Sequence, residues 1–291
     1  MAAMGAKGGR ALFTRRIGHK LLVLLTGLLV FGCSMPERCL FTTDRDLRFT
    51  PGIKDLKFQE IIFPADDGPR LYGWYLPGSN SKEVILYFHG TATNLSHLTH
   101  ILKELKQLGV ALFVFDYRGF GRSQGTPTEA GTYQDARDAL NFLYRLGWTP
   151  DRIVYYGHSL GAAIALQLAL EQPPAGLVLE SPFTSIPDLI RHHHPWLFAA
   201  LPWAFPHFYS SRSKIHDLRV PLMVFQGQRD TIVPPSMART LYSLAPEPKV
   251  FHLVAGAGHN DVCLVGGKAY WNAWRRFLSD VGKGKIAGSL R

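Results

Sequence analysis

Residues 152–170 read RIVYYGHSLGAAIALQLAL, and the fold turns on this stretch. Residues 153–157 are a short apolar run of β-branched and aromatic type, the composition of a buried strand. From Leu160 the chain is rich in alanine and leucine, which predicts a helix. Strand gives way to helix within two residues, and Ser159 stands at the corner. So sharp a corner leaves no room for Cβ atoms beside it, which accounts for Gly157, Gly161 and Ala162. A serine serving only as a turn former would not need all three small neighbours. The start of the helix also points free N–H groups toward the serine, a favourable field for an oxygen gaining negative charge. The pattern Gly-x-Ser-x-Gly is weak by itself; the strand–serine–helix corner is far more specific.

On either side of this corner the chain alternates regularly. Apolar runs at 84–89 (VILYFH), 111–116 (ALFVFD), 176–181 (GLVLES), 222–227 (LMVFQG) and 250–254 (VFHLV) read as buried strands. Helical patterns lie between most of them. Leu98, Ile101, Leu102, Leu105 and Leu108 recur at helical spacing before Gly109, and Ala136, Ala139, Leu140, Leu143 and Leu146 do so before Gly147. Upstream, residues 58–77 (FQEIIFPADDGPRLYGWYLP) give two alternating runs about Asp66, Asp67 and Gly68, a predicted antiparallel hairpin. Eight strands are therefore predicted, the first two antiparallel and the rest in strand–helix alternation. Continuous apolar strands separated by amphipathic helices predict an α/β protein, its mostly parallel sheet covered by helices on both faces.

A serine hydroxyl is a weak nucleophile; it needs a base, and the base needs an orienting carboxylate. Both follow Ser159, each on a loop after a predicted strand: Asp230 in FQGQRDTIVP and His259 in LVAGAGHND. The order Ser159, Asp230, His259 is the one expected of a serine at such a corner. Upstream, LYFHGTATN ends a strand at His89 and Gly90, which places the backbone N–H of Thr91 to form an oxyanion hole with that of Leu160. Glu180 is the alternative acid. Asp116 and Arg118 are read as ties for the glycine-rich loop after their strand, with substrate contact the alternative. His158, His252 and Asp261 are read as structural or loop residues.

With these residues in view, the chain resembles a serine hydrolase of the α/β-hydrolase superfamily. It is most similar to the small, cap-poor branch that includes eukaryotic protein depalmitoylases and many bacterial esterase-like proteins. The resemblance rests on His89 and Gly90, FDYRGFGRSQG (115–125), GHSLG (157–161), ESPF (180–183), GQRDTIVP (227–234) and GAGHND (256–261). It runs from about residue 40 to 281. It implies the α/β-hydrolase fold, the catalytic triad Ser159–Asp230–His259 and no cofactor. Haloalkane dehalogenases and epoxide hydrolases carry aspartate at the corner, so Ser159 argues against both.

With 46% hydrophobic and 12% aromatic residues, the 291-residue chain has ample material for a core, and 19% charged is too little for disorder. The formal charge of +10 would fit nucleic acid, but five basic residues fall within the first 20 positions, where there is no acid. The remaining 27 Lys and Arg are scattered and face 22 Asp and Glu, so no nucleic-acid partner is expected. The basic start leads into LLVLLTGLLVFG at 21–32 and then Cys33. Such a run rises only about 18 Å as helix, short of a hydrocarbon core of roughly 30 Å. A basic stretch, a short apolar stretch and a small residue describe an export signal. VFGCS further resembles the bacterial lipoprotein signal, which implies diacylation of Cys33 and a periplasm-facing protein held to the membrane by an N-terminal lipid anchor. An uncleaved anchor through Met35, and a cleaved signal with an incidental Cys33, stay open. The layout expected is a signal at 1–32, a linker at 33–57, a hydrolase domain at 58–281 and a basic tail at 282–291. Cys39 and Cys263 are candidates for a disulfide in an oxidising compartment.

One segment breaks the strand–helix rhythm. Residues 182–218 carry Trp196, Phe198, Trp203, Phe205, Phe208 and Tyr209, with Pro195, Pro202 and Pro206, where hydrolases of this fold insert a cap. These aromatics are read as an apolar wall for an acyl chain, with simple covering of the core as the alternative. His192, His193 and His194 are adjacent and so point in different directions, and no metal is expected. The function expected is hydrolysis of an acyl ester or thioester through an acyl-enzyme. A serine peptidase of the same fold, or a catalytically silent binding module, are the alternatives.

Overall fold

The computed structural model describes residues 37–78, 81–202 and 208–282. The predicted signal with Cys33, Trp203, Phe205 and the tail from 283 onward lie outside these residues. Eight strands form one sheet: β1 (Gln59–Pro64), β2 (Arg70–Leu76), β3 (Val84–Phe88), β4 (Ala111–Asp116), β5 (Ile153–His158), β6 (Gly176–Glu180), β7 (Leu222–Gly227) and β8 (Lys249–Val254). Seven α-helices accompany them among the described residues. These are α1 (Thr99–Lys106), α2 (Glu129–Arg145), α3 (Leu160–Glu171), α4 (Ile186–His193), α5 (Pro195–Ala200), α6 (Pro235–Leu244) and α7 (Val262–Val281). The strands lie in the order β1-β2-β4-β3-β5-β6-β7-β8. β2 runs antiparallel to both its neighbours, and every other pairing is parallel.

Strand periodicity sorts the core into two layers. Along β4, Ala111, Phe113 and Phe115 belong to one layer with the buried faces of α2, α3 and α6, while Leu112 and Val114 belong to the other with those of α1 and α7. Because both faces are covered, the central strands are apolar throughout instead of alternating. The helix α3 has no polar stripe for the same reason: residues around its whole first two turns are buried.

Two ties hold the periphery. Arg118, just past β4, donates to both carboxylate oxygens of Asp67 in the β1–β2 turn and to Asp135 of α2, at 2.6 to 2.9 Å. That bidentate fork locks hairpin, loop and helix together, as the sequence predicts for Arg118. Residues 41–48, expected as part of a linker, have no regular structure but lie across the loops after β3 and β4. The Thr42 carbonyl accepts the Ala92 N–H at 2.7 Å, and the Asp44 carbonyl accepts the Gly121 N–H at 2.9 Å. Between β6 and β7 the cap carries α4 and α5, with Ser185 capping α4 through the Asp188 N–H at 3.1 Å. Cys263 is a free thiol.

Candidate active site

The loops after β3, β5, β6, β7 and β8 converge at the carboxyl edge of the sheet, where open parallel sheets bind ligands. Ser159 stands between β5 and α3 with φ 54° and ψ −115°, a conformation that only a tightly determined corner imposes on a non-glycine residue. The glycines around it are a steric requirement. A Cβ on Gly157 would lie 2.3 Å from the Gly161 carbonyl oxygen, and one on Gly161 would lie 2.0 Å from that of Phe88. The Ser159 N–H donates to the Glu180 carbonyl at 2.9 Å, fixing the corner to the neighbouring strand. Leu160 opens α3, so its N–H belongs to the first turn, whose donors have no partner within the helix.

The structure brings Ser159, His259 and Asp230 into one hydrogen-bonded chain. His259 Nε2 lies 3.0 Å from Ser159 Oγ, and His259 Nδ1 lies 2.7 Å from Asp230 Oδ2. With Nδ1–H donating to the carboxylate, Nε2 is left to accept the serine proton. Asp230 is the better-held end. Its Oδ1 accepts the N–H groups of Ile232 and Val233 at 2.9 and 2.8 Å, and its Oδ2 also accepts Gln226 Nε2 at 3.0 Å. Burial works against its charge, yet the His259 hydrogen bond and charge and the two backbone donors hold Asp230 below the usual carboxylate value. The two loops meet because Gly227 has no side chain: a Cβ there would lie 2.1 Å from the Gly258 carbonyl oxygen.

His259 is held from behind as well. Its backbone carbonyl accepts His158 Nε2–H at 3.1 Å and the Ser181 hydroxyl at 3.3 Å. Burial and the adjacent His259 push the His158 pKa down to about 4, so near neutral pH it is an uncharged donor. Glu180 does not partner His259: its Oε2 accepts the Tyr270 hydroxyl at 2.6 Å, and burial raises its carboxyl to about 7. The acid on the imidazole is Asp230.

On the other side of Ser159 the loop after β3 comes close. A Cβ on Gly90 would lie 3.3 Å from Ser159 Cβ. The Gly90 carbonyl accepts His89 Nδ1–H at 2.8 Å and the Thr93 hydroxyl at 3.0 Å. A trans peptide sets N–H opposite C=O, so these bonds turn the Thr91 N–H away from that carbonyl. Among the described residues the Thr91 N–H makes no backbone hydrogen bond.

The described aromatics of the cap sit in three different surroundings. Trp196 is 62% exposed, because α5 turns the adjacent Leu197 inward instead. Phe198 lies under the Arg191 guanidinium and borders a cavity of about 600 Å³ with Ser185, Asp188, Arg212 and Leu244, none of them in the serine chain. Phe208 packs against the core, and Trp203 and Phe205 lie outside the described residues. Among the described residues no cluster of His, Cys, Asp and Glu fits a metal; His193 Nε2 donates to the Ile232 carbonyl at 2.8 Å. Gln226 and Ser181 escape a reading of the sequence. The one signal for Gln226 is a polar residue inside an otherwise apolar strand.

A mostly parallel eight-stranded sheet in this order, with a serine corner after β5, is the α/β-hydrolase fold. A family model described as serine aminopeptidase, S33, matches residues 79–217. The chain is 39% identical over 226 residues to an uncharacterised protein of Mycobacterium tuberculosis, covering 77% of this chain and 80% of that one. It is 30% identical over 251 residues to the α/β-hydrolase domain-containing protein WAV2 of Arabidopsis thaliana, covering 79% and 81%. Its structure is similar to that of the Pyrococcus furiosus esterase Pf2001, with a TM-score of 0.66 at 20% identity over 82% of this chain and 98% of that one. The chain belongs to the α/β-hydrolase family.

Proposed function

We propose that this protein is a serine hydrolase that cleaves an acyl ester or thioester through an acyl-enzyme. The observation that carries this reading is the unbroken chain from Ser159 Oγ through His259 to Asp230, with contacts of 3.0 and 2.7 Å. As Oγ attacks the acyl carbon, its proton passes to His259 Nε2, and the carbonyl oxygen gains charge facing the N–H groups of Thr91 and Leu160. The tetrahedral species collapses, and the leaving alcohol or thiol takes the proton from Nε2. Water then gives a proton to Nε2 and attacks the acyl carbon. Ser159 departs with that proton, and a carboxylic acid is released. Asp230 stays ionised throughout and holds Nδ1 protonated, so that Nε2 always faces the reaction. The resemblance to protein depalmitoylases points to an S-acyl thioester among candidate substrates.

A serine peptidase is the second reading, favoured by the description of the family model that matches residues 79–217. Assays of p-nitrophenyl esters, acyl thioesters and aminoacyl anilides separate the two. Ester or thioester turnover that disappears in Ser159→Ala is the expected result; anilide turnover exceeding both would favour the peptidase. The N-terminal sequence adds a location: a diacylated Cys33 would hold the enzyme at a membrane, since a single acyl chain binds only reversibly. Mass spectrometry of the mature N-terminus tests this, and an unmodified Cys33 would remove it.

A further inference from the structure

The loop that carries Thr91 is not held by the sheet alone. Ala92, the next residue, has φ 59°, a left-handed conformation that a residue with a Cβ keeps only when its surroundings impose it. The imposing group comes from some fifty residues upstream. The Thr42 carbonyl accepts the Ala92 N–H at 2.7 Å, and the Thr42 N–H donates to Thr91 Oγ1 at 3.1 Å. Two residues further along the loop, Asn94 Nδ2 donates to the carbonyls of Asp44 and Asp46 at 3.2 and 3.0 Å. The segment is itself anchored: Phe41 is buried edge-on against Phe120 and Tyr209, with ring centroids 6.4 and 6.3 Å apart. Residues 42–46 thus grip the loop on both sides of its strained residue.

We propose that residues 42–46 brace the oxyanion loop, making Thr42 and Asn94 positioning residues for acyl transfer. This inference rests on the serine-hydrolase reading. His89 and Thr93 fix the carbonyl of the Gly90–Thr91 peptide from inside the fold, and the brace fixes Thr91 and Ala92 from outside. Between them, the Thr91 N–H is left one direction. If the brace is loosened, Ala92 relaxes toward negative φ and swings that N–H off the reacting oxygen. A hydrogen bond formed only with the charged transition state is then lost, while ground-state binding is little affected.

Asn94→Asp tests this in the full-length protein. The Asn94 Oδ1 that caps the following turn through the Ser96 N–H at 2.9 Å is retained as a carboxylate oxygen, but both donors to the brace disappear. With p-nitrophenyl butyrate as substrate, kcat should fall roughly 10- to 100-fold with KM within about twofold, as for a displaced oxyanion donor. The inhibition constant of a trifluoromethyl ketone should rise by the same factor. Ala92→Gly, which takes positive φ without strain, should recover about threefold or more of the lost kcat in the Asn94→Asp background. An Asn94→Asp enzyme with unchanged kcat and ketone affinity, or a loss confined to KM, would overturn the brace while leaving the serine mechanism intact. Butyrate turnover that survives in Ser159→Ala would overturn the serine mechanism, and the brace with it.

Discussion

Ser159, Gly157 and Gly161 show how far a single corner dictates residue type. A Cβ at Gly161 would stand 2.0 Å from backbone, with no flexible side chain to move aside. Gly161→Ala should therefore destabilise the protein by about 1 to 3 kcal/mol, or roughly 3 to 10 °C in Tm for a domain of this size, and abolish turnover. Differential scanning calorimetry checks the first part. Asp230 invites a finer test, because among the described residues Gln226 is the one side-chain donor besides His259 bonded to its carboxylate. Gln226→Leu should lower kcat by about tenfold and leave KM unchanged, the cost of one hydrogen bond to a charged group. A change in KM instead would mean that Gln226 acts on substrate binding. Ser159, Asp230 and His259 are legible in sequence because each is a reactive type just past a strand, in a telling order. The contacts of His158 and Ser181 are not, since their shared partner lies 101 and 78 residues away, and Gln226 shows only as a polar residue inside an apolar strand.

The strands and helices were legible wherever burial left a periodic trace. β4 was expected at 111–116 and forms there, because a run buried on both faces must be apolar throughout. The Leu98 to Leu108 pattern marked the helix α1, which spans Thr99–Lys106. Two segments left no such trace. Residues 42–46 are held by backbone groups and by Asn94, which carry no hydrophobic period. In the cap, aromatic content alone does not say which rings face in: Leu197 is buried and its neighbour Trp196 is not. Trp196→Ala should accordingly leave the profile of kcat/KM against acyl-chain length within about twofold of wild type, since an exposed ring forfeits little burial energy. A flattened profile would show Trp196 at the acyl chain, as part of the wall read from the sequence.

Across the whole molecule, several ionisable groups are kept neutral by burial, and stability should depend on pH accordingly. Glu180 is raised to about 7 and Asp116 to about 8, both by burial. A carboxyl raised above its unfolded value near ~4 contributes its full stability below that value and loses it as pH rises through the folded one. Tm should therefore fall between pH 6.5 and 8, and Asp116→Asn should flatten that fall up to about 8. Glu180→Gln should act only below about 7. On the acid side, burial holds His89 and His158 down at about 4, so below ~6.5 the unfolded chain takes up their protons first, which offsets the stability the two carboxyls gain there. A Tm that rises from pH 6.5 to 8 would mean these carboxyls are ionised inside the fold.

The proposed nucleophile has one direct measurement. A fluorophosphonate reacts with an activated serine and leaves a covalent adduct that peptide mass spectrometry can locate. The expected result is one adduct, on Ser159, absent in Ser159→Ala and formed at least about 10³-fold more slowly in His259→Ala, because these residues act as a unit. An adduct on another residue, or labelling of Ser159 that proceeds equally well without His259, would contradict the mechanism.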